Sequence, residues 1–247
     1  MQTYQTAKLA DLVGVHPNTV RLYEAWGLIP PAERRANGYR VFTERHLAQF
    51  RLARLAFQIE VLQNGLRRQI VEVVKTAAAG DYPGAVARTE RYLDQVRRER
   101  QNAAEAVESV ERLLAGGAED GPRLLGRRAA ARYLGVSVDA LRNWERNGLV
   151  DVEGREEGRR VYTEGDLRRL KVVRSLRCAN YSMEAILRLM GRLSGGGGAD
   201  IDAALNTPGP EEDIVSACDR LAVSLRAAEE NALVILGMLG EMRKKFG

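Results

Sequence analysis

The sequence contains the same segment twice, and this repeat is the strongest constraint on its fold. Residues 9–29, LADLVGVHPNTVRLYEAWGLI, align without a gap on residues 130–150, AARYLGVSVDALRNWERNGLV. One residue is lost in the next loop, and GYRVFTERHL at 38–47 then aligns on GRRVYTEGDL at 158–167. A tandem repeat of this kind predicts one structural unit that is built twice.

The residue pattern of each copy predicts a helix-turn-helix followed by a small β hairpin. A short amphipathic helix over 6–13 or 127–134 stops at a glycine, and a second helix begins after a polar cap at 16–18 or 137–139. Helix, glycine turn and helix are the signature of a helix-turn-helix. The next loop, ERRANGYRVF or GREEGRRVY, is rich in arginine and glycine and has alternating flanks. Such a hairpin would form a wing.

Two more helices complete each copy, and a long helix follows it. The third helix is capped by Thr43 or Thr163, and an amphipathic segment comes next. We therefore predict a mainly α fold of the all-α class, with small β wings and two long antiparallel coiled-coil helices. The predicted parts are a first module, a long helix with a linker, a second module, and a linker with a second long helix, over residues 1–75, 76–121, 122–194 and 195–247.

Apolar residues recur every three or four positions along both long helices, which predicts that each packs on another helix. Arg100 interrupts the first of these seams, so an ion pair with Glu229 or Glu230 is expected there. Stretches rich in glycine and proline at 115–122 and 194–210 are expected to be linkers. The seam positions are Val86, Thr89, Leu93, Val96, Arg100, Ala103, Val107, Val110 and Leu114, then Ile214, Cys218, Leu221, Leu225, Ala228, Ala232, Ile235, Leu239, Met242 and Phe246.

Charge alternates along the chain in step with these parts. The four parts carry +5, −3, +7 and −4, although the whole chain carries only +5. Two basic modules separated by acidic helices indicate that the modules face a polyanion, and nucleic acid is the leading candidate.

Several other classes of protein are disfavoured. The chain has only two histidines and two cysteines, and it shows no nucleophile elbow or phosphate loop, so neither an enzyme, a cofactor nor a metal site is expected. Cys178 and Cys218 are expected in the core. The absence of a membrane-spanning stretch or a signal pattern predicts a cytoplasmic, nucleoid-associated protein with no membrane partner.

The repeated pattern resembles the MerR family of transcription regulators. The resemblance rests on the TVRLYEAWGLI stretch, the NGYRVFTERHL wing exit and the long helix that follows, and it extends over most of the chain, twice. The first copy matches better. In the second copy Asp139, Glu156 and Glu157 place carboxylates in the recognition helix and the wing, and Phe42 of the first copy replaces the tyrosine that the second keeps as Tyr162. Unequal DNA binding by the two modules is therefore expected.

A recognition helix enters the major groove by its N-terminal end, and wing arginines suit phosphates. Tyr23 is expected either in the core or at DNA, and Trp26 and Trp144 are expected in the core. The candidate base-contacting residues are His16, Asn18, Thr19, Arg21, Ser137, Asp139 and Arg142. The candidate phosphate-contacting residues are Arg34, Arg35, Tyr39, Arg40, Arg155, Arg159, Arg160 and Tyr162, with Tyr23 as a further DNA-binding candidate.

The resemblance implies a sequence-specific regulator that binds double-stranded promoter DNA, distorts it and acts on RNA polymerase. Family members act as homodimers joined by antiparallel long helices, whereas this chain holds both halves. An intrachain pseudodimer on an imperfect palindrome is therefore expected, and a true homodimer is the alternative. Two further alternatives are an architectural or excisionase-like protein that only bends DNA and a regulator that responds to a small molecule.

Overall fold

The computed structural model describes residues 2–59, 65–115, 124–156, 158–194, 201–206 and 221–247. This part is mainly helical and contains two small three-stranded sheets, so the predicted fold class is confirmed. Glu157, Ile214, Cys218 and most of the two predicted linkers lie outside the described residues.

The first module combines four helices with one sheet, and a long helix follows it. The sheet has the order β1-β3-β2, with both pairs antiparallel, and Arg34 lies opposite Arg40 in the wing. The elements are β1 (Thr3–Tyr4), α1 (Thr6–Val13), α2 (Pro17–Ala25), β2 (Glu33–Arg34), β3 (Arg40–Thr43), α3 (Glu44–Ala56), α4 (Leu66–Ala78) and the long α5 (Tyr82–Ala115).

The second module repeats this order. Its sheet is β4-β6-β5, and Arg155 lies opposite Arg160, so its hairpin is shorter by the one residue that the alignment predicts. The elements are β4 (Leu125–Gly126), α6 (Arg127–Leu134), α7 (Val138–Arg146), β5 (Arg155–Glu156), β6 (Arg159–Tyr162), α8 (Glu164–Cys178), α9 (Met183–Ser194), α10 (Ile201–Asn206) and α11 (Leu221–Phe246).

The turn between the first two helices depends on a glycine in both modules. Gly14 and Gly135 end α1 and α6 with φ angles of 66° and 62°, in the left-handed region that residues with a Cβ adopt at a cost. Their N–H groups bond to carbonyls of the preceding turn, which closes each helix. The bounds of α1 and α6 are those that the sequence predicts.

The core of the first module joins both helices of the turn to the wing strand and α3. Its fully or nearly fully buried side chains are Leu9, Ala10, Val20, Ile29, Phe42 and Phe50. The buried amide of Gln49 adds a polar link, because its Nε2 donates to the carbonyls of Leu28 and Val74 at 3.0 and 2.9 Å. This one side chain therefore ties α3 to α4 and to the loop after α2.

Contacts divide the chain into two compact units. The first unit contains Met1–Arg98 and Ser224–Gly247, and the second contains Glu99–Val223. Most of α11 thus belongs to the unit of the first module, and the second half of α5 belongs to the unit of the second.

Within the first unit, α11 runs antiparallel to α3. Asn231 Nδ2 donates to the carbonyl of Leu55 at 3.4 Å, and Lys245 Nζ lies 2.6 Å from Glu44 Oε2 at the other end of α3. Arg97 of α5 also pairs with Glu229 of α11, with Nε and Oε1 2.9 Å apart. In the second unit, Asn180 Nδ2 donates to Glu99 Oε2 at 3.3 Å.

The seam of α11 is confirmed over its described positions. Leu221, Leu225, Ala228, Ala232, Ile235, Leu239 and Met242 are buried, and Phe246 is half-buried.

The predicted seam of α5 is partly wrong, because two of its nine positions are exposed. Thr89, Leu93, Val96, Ala103 and Val110 are buried, Val86 and Val107 are half-buried, and Arg100 and Leu114 are exposed. Glu99 is buried in place of Arg100, because a step of three residues from Val96 stays on the buried face of the helix and a step of four leaves it. Arg97, one turn before Arg100, forms an ion pair with Glu229.

One cysteine was also misplaced by the sequence analysis. Cys178 is exposed at the end of α8, not in the core. None of the described helices is long and apolar enough to cross a membrane.

A histidine completes the capping box of α3 in the first module, where the second module uses an aspartate. His46 is buried, its Nδ1 accepts a hydrogen bond from the Thr43 N–H at 3.0 Å, and its Nε2 lies 3.4 Å from the Pro31 carbonyl. In the second module Asp166 Oδ2 accepts from the Thr163 N–H at 2.8 Å. Burial lowers the pKa of His46 and Arg45 adds to this, against the opposing effects of Pro31, Glu24 and Glu33.

We expect acid to loosen the first module before the second. The folded state holds His46 neutral, so the unfolded state binds the extra proton, and the stabilisation is lost as pH falls below about 6.5 and through the lower pKa of the folded state. Hydrogen exchange of the Thr43 and His46 amides should accelerate between pH 7 and pH 5, after correction for intrinsic exchange, whereas the Thr163 and Asp166 amides stay protected. Equal loss of protection in both modules would contradict this assignment.

Candidate nucleic-acid interface

The N-terminal end of α2 exposes a small group of polar side chains. His16 is the N-cap, with Nδ1 accepting from the Asn18 N–H at 3.2 Å, and Pro17 opens the helix. Asn18 and Arg21 are exposed one turn apart, and Arg21 Nη1 donates to Asn18 Oδ1 at 2.9 Å. Thr19 is half-buried. A histidine, an amide and a guanidinium are therefore presented together at the end of a helix, where base edges can be contacted.

The corresponding end of α7 carries a different charge. Ser137 Oγ accepts from the Ala140 N–H at 3.0 Å and so caps the helix. Asp139, at the position of Asn18, forms an ion pair with Arg142, with Oδ1 and Nη1 2.9 Å apart. The carboxylate side chain of Asp139 is 87% exposed, so it both neutralises the arginine and faces the solvent from which DNA would approach.

A glutamate near the end of α2 fastens the wing of the first module. Glu24 Oε1 accepts from the Ala32 N–H at 3.0 Å, and Glu24 Oε2 accepts from Arg40 Nε at 2.6 Å. Both partners lie in or beside the hairpin, so one carboxylate fixes the wing relative to the recognition helix.

Glu145 of α7 has the same role and more partners. It accepts from Arg127 Nη2 at 2.8 Å, from Arg160 Nη1 at 3.1 Å and from the hydroxyl of Tyr162. Burial raises the pKa of the Glu145 carboxyl, but the bonds from Tyr162 and Arg127 outweigh this and hold it below its usual value. The ionised carboxylate is thus the stable form at the centre of this cluster.

Tyr162 is placed differently from the sequence expectation. It is fully buried and its hydroxyl is engaged with Glu145 and Arg127, so it does not face outward toward a phosphate. Burial, followed by the bond to Glu145, raises the pKa of Tyr162 to about 12. Phe42 occupies the same buried position in the first module, where the glutamate binds a backbone N–H instead.

The expected phosphate-contacting arginines fall into two groups. Arg40 and Arg160 pair with the recognition-helix glutamates. The others are exposed, as is Tyr39 with 65% of its surface accessible, and Arg34 Nη1 donates to the Gly38 carbonyl at 3.3 Å. Arg160 is itself exposed. The exposed wing residues that do not pair with those glutamates are Arg34, Arg35, Tyr39, Arg155 and Arg159.

The aromatic residues of the recognition helices have mixed positions. The ring of Tyr23 stacks on Phe50 with centroids 4.5 Å apart, which places it against the core. Trp144 is buried as expected. Trp26 is 58% exposed, contrary to expectation, because it lies past the last turn of α2.

The structure adds two arginines that the sequence analysis did not select. Arg127 and Arg128 open α6, and with Arg159 and Arg160 they line a groove of about 770 Å³ beside the wing. Helix N-termini favour anions, and guanidinium groups strengthen that preference. The signal was available, since the paired arginines open a helix that the sequence predicts, whereas Thr6 and Ala7 stand at the corresponding positions of the first copy.

We find no candidate metal site among the described residues. No group of three or more histidine, cysteine, aspartate or glutamate side chains is placed there to hold a metal ion.

Comparison with known proteins supports the repeat. The profile of the MerR family regulatory proteins matches residues 5–42, and that of the MerR HTH family regulatory proteins matches residues 128–193. No solved structure matches the chain.

Three bacterial relatives illustrate the extent of similarity. The HTH-type transcriptional regulator CueR of Escherichia coli O6:H1 is 39% identical over 51 residues, which are 21% of this chain and 38% of that protein. The regulator ZntR of Escherichia coli K12 is 39% identical over 61 residues, 24% of this chain and 43% of that protein. This chain thus spans less than half the length of these two relatives.

The third relative is matched over more of its length. The regulator CueR of Salmonella typhi is 30% identical over 111 residues, which are 41% of this chain and 77% of that protein. With profiles of the family matching both copies and most of a relative covered, the chain belongs to the MerR family and contains its module twice.

Proposed function

We propose that this protein is a sequence-specific DNA-binding transcription regulator in which one chain acts as a pseudodimer. The observation that carries the proposal is the repeated arrangement of an exposed helix N-terminus with a wing fastened to it by Glu24 or Glu145. Both modules are basic, and exposed arginines at the wings can neutralise phosphates. The names of the relatives, which are transcriptional regulators, point the same way.

The composition of the compact units supports the pseudodimer. A homodimer of single-module chains would complete each half with the long helix of the other subunit. Here the first unit is completed by α11, through Glu229, Asn231 and Lys245, and the second unit by the far half of α5. Both helices that a partner would donate are thus present in one chain.

The ends of the two long helices occupy similar surroundings in their units. Phe246 of α11 lies in a groove with Leu47 and Ala48 of α3. Leu114 of α5 lies in a groove with Arg168 and Val172 of α8, the helix that corresponds to α3. The two long helices therefore end at equivalent positions of the two copies of the module.

The bound site is expected to be an imperfect palindrome. The modules differ where base edges would be read, since Asn18 is replaced by Asp139, whose carboxylate repels phosphate and holds Arg142. Distortion of the DNA between two unequal halves would then govern how RNA polymerase uses the promoter. An architectural protein would bend DNA equally well without this effect on polymerase.

Selection from a random DNA library, followed by footprinting with RNA polymerase, tests the function. The proposal expects two related half-sites of unequal strength and a polymerase footprint that changes when the protein binds. A recovered motif with polymerase unaffected would favour the architectural alternative, and no enriched motif would contradict sequence-specific binding.

The two groups of wing arginines should respond differently to substitution. Arg35→Ala removes an exposed phosphate partner, so the slope of log K against log salt should flatten by about 0.9. Arg40→Ala releases the wing from Glu24, so binding should weaken for all sequences with little change in slope. Fluorescence anisotropy at several salt concentrations measures both. A flattened slope for Arg40→Ala and an unchanged one for Arg35→Ala would reverse the assignment.

Replacing Asp139 by asparagine, the residue at the corresponding position 18 of the first module, should reduce the difference in affinity between the half-sites. Asp139→Asn removes the carboxylate that holds Arg142. The free energy of binding to the weaker half-site should therefore become more favourable by about 1 kcal/mol, the lower end of the range for a bidentate arginine–base contact. Quantitative footprinting of both halves measures this. The matched variant Asn18→Asp should weaken the stronger half-site, and protection that is unaltered by either variant would show that these positions do not read DNA.

A further inference from the structure

A groove between α4 and α5 in the first unit is lined by charges that the proposed DNA contacts do not use. It has a volume of about 480 Å³. Four arginines and two carboxylates contribute to its wall, namely Arg68 and Glu72 from α4, and Arg88, Arg91, Asp94 and Arg98 from α5. Pockets of this size hold small molecules rather than macromolecules.

Positive charge exceeds negative charge in the wall of the groove, which contains four arginines and two carboxylates. In the described part of the chain, none of the four arginines forms an ion pair with Glu72 or Asp94. Arg91 Nε donates to the Ala87 carbonyl at 3.3 Å, and Arg98 Nη2 donates to Gln95 Oε1 at 3.2 Å. These neutral partners leave the guanidinium charges in place, so an anion entering the groove would relieve their mutual repulsion.

The start of α4 adds to the attraction for an anion. Arg68 lies in the first turn of this 13-residue helix, and that turn carries no acidic residue. The N-cap is Gly65, which has no side chain to accept from the first N–H groups. The positive end of the helix dipole therefore lies on the same side as Arg68.

We propose that the α4–α5 groove binds a small multivalent oxyanion, such as a molecule bearing a diphosphate or several carboxylates. Guanidinium forks bind such groups bidentately. Arg98 in the groove follows Arg97 in α5, and Arg97 pairs with Glu229 of α11. The second unit uses the corresponding helix differently, since Arg188 of α9 donates to the carbonyls of Ala204 and Leu205.

Titration calorimetry of the full chain with pyrophosphate, at fixed ionic strength and without DNA, tests the proposal. Saturable binding of pyrophosphate is expected, with a site that is weakened by substitutions in the α4–α5 groove. The double variant Arg88→Gln/Arg91→Gln should lower the affinity at least about tenfold, since it removes two charged donors. Arg112→Gln is the matched control, because Arg112 is an exposed α5 residue away from the groove and pairs with Glu108 one turn earlier in the helix.

A second double variant, Arg88→Lys/Arg91→Lys, keeps the charge and removes the forks, and it should show an intermediate loss. If the glutamine variant does not fold, the affinity of the lysine variant for pyrophosphate tests the proposal. Binding that does not saturate, or an equal loss in Arg112→Gln, overturns the proposal. So does a glutamine variant that binds pyrophosphate normally but flattens the salt dependence of DNA binding, because the groove would then be a DNA contact. Since the titration contains no DNA, its result is separate from that of the proposed regulatory function.

Discussion

The contact between a recognition-helix glutamate and the wing is the interaction on which each module's surface depends. A helix-turn-helix core of this size buries few side chains, and the hairpin adds only short strands to it. Glu24 and Glu145 link the end of the recognition helix to an arginine of the wing strand in both copies. Together with the pairing of β3 with β1 and of β6 with β4, this link fixes the exposed arginines of each wing relative to the second helix of the turn.

The two modules link the glutamate to the wing through different side chains. The first uses a backbone N–H and a phenylalanine core, whereas the second buries a tyrosine hydroxyl and recruits Arg127. A duplicated chain is free to vary in this way, because each copy needs only to preserve the geometry of its own surface. The same freedom separates His46 from Asp166 at the caps of α3 and α8, and Asn18 from Asp139 at the helix ends.

Patterns of local chemistry predicted the repeated elements well. Glycine turns and polar caps are local signals, so the bounds of α1 and α6 and the caps at His16, Ser137, Thr43 and Thr163 follow from the sequence alone. Features that depend on tertiary contacts were missed. Periodicity cannot choose between Glu99 and Arg100, which are both compatible with a three-four spacing, and residue type did not reveal that Cys178 and Trp26 are exposed. The engagement of Tyr162 with Glu145 joins distant parts of the sequence and has no local signal.

In the proposed pseudodimer, a single chain supplies both halves of a dimer. Light scattering of the protein bound to a duplex containing its complete selected site measures this directly, across a range of protein concentrations. One chain per duplex, with both half-sites protected, is the predicted result. A complex that always contains two chains, and free protein that exists only as a dimer, would contradict it and would assign the pairing of long helices to two separate subunits.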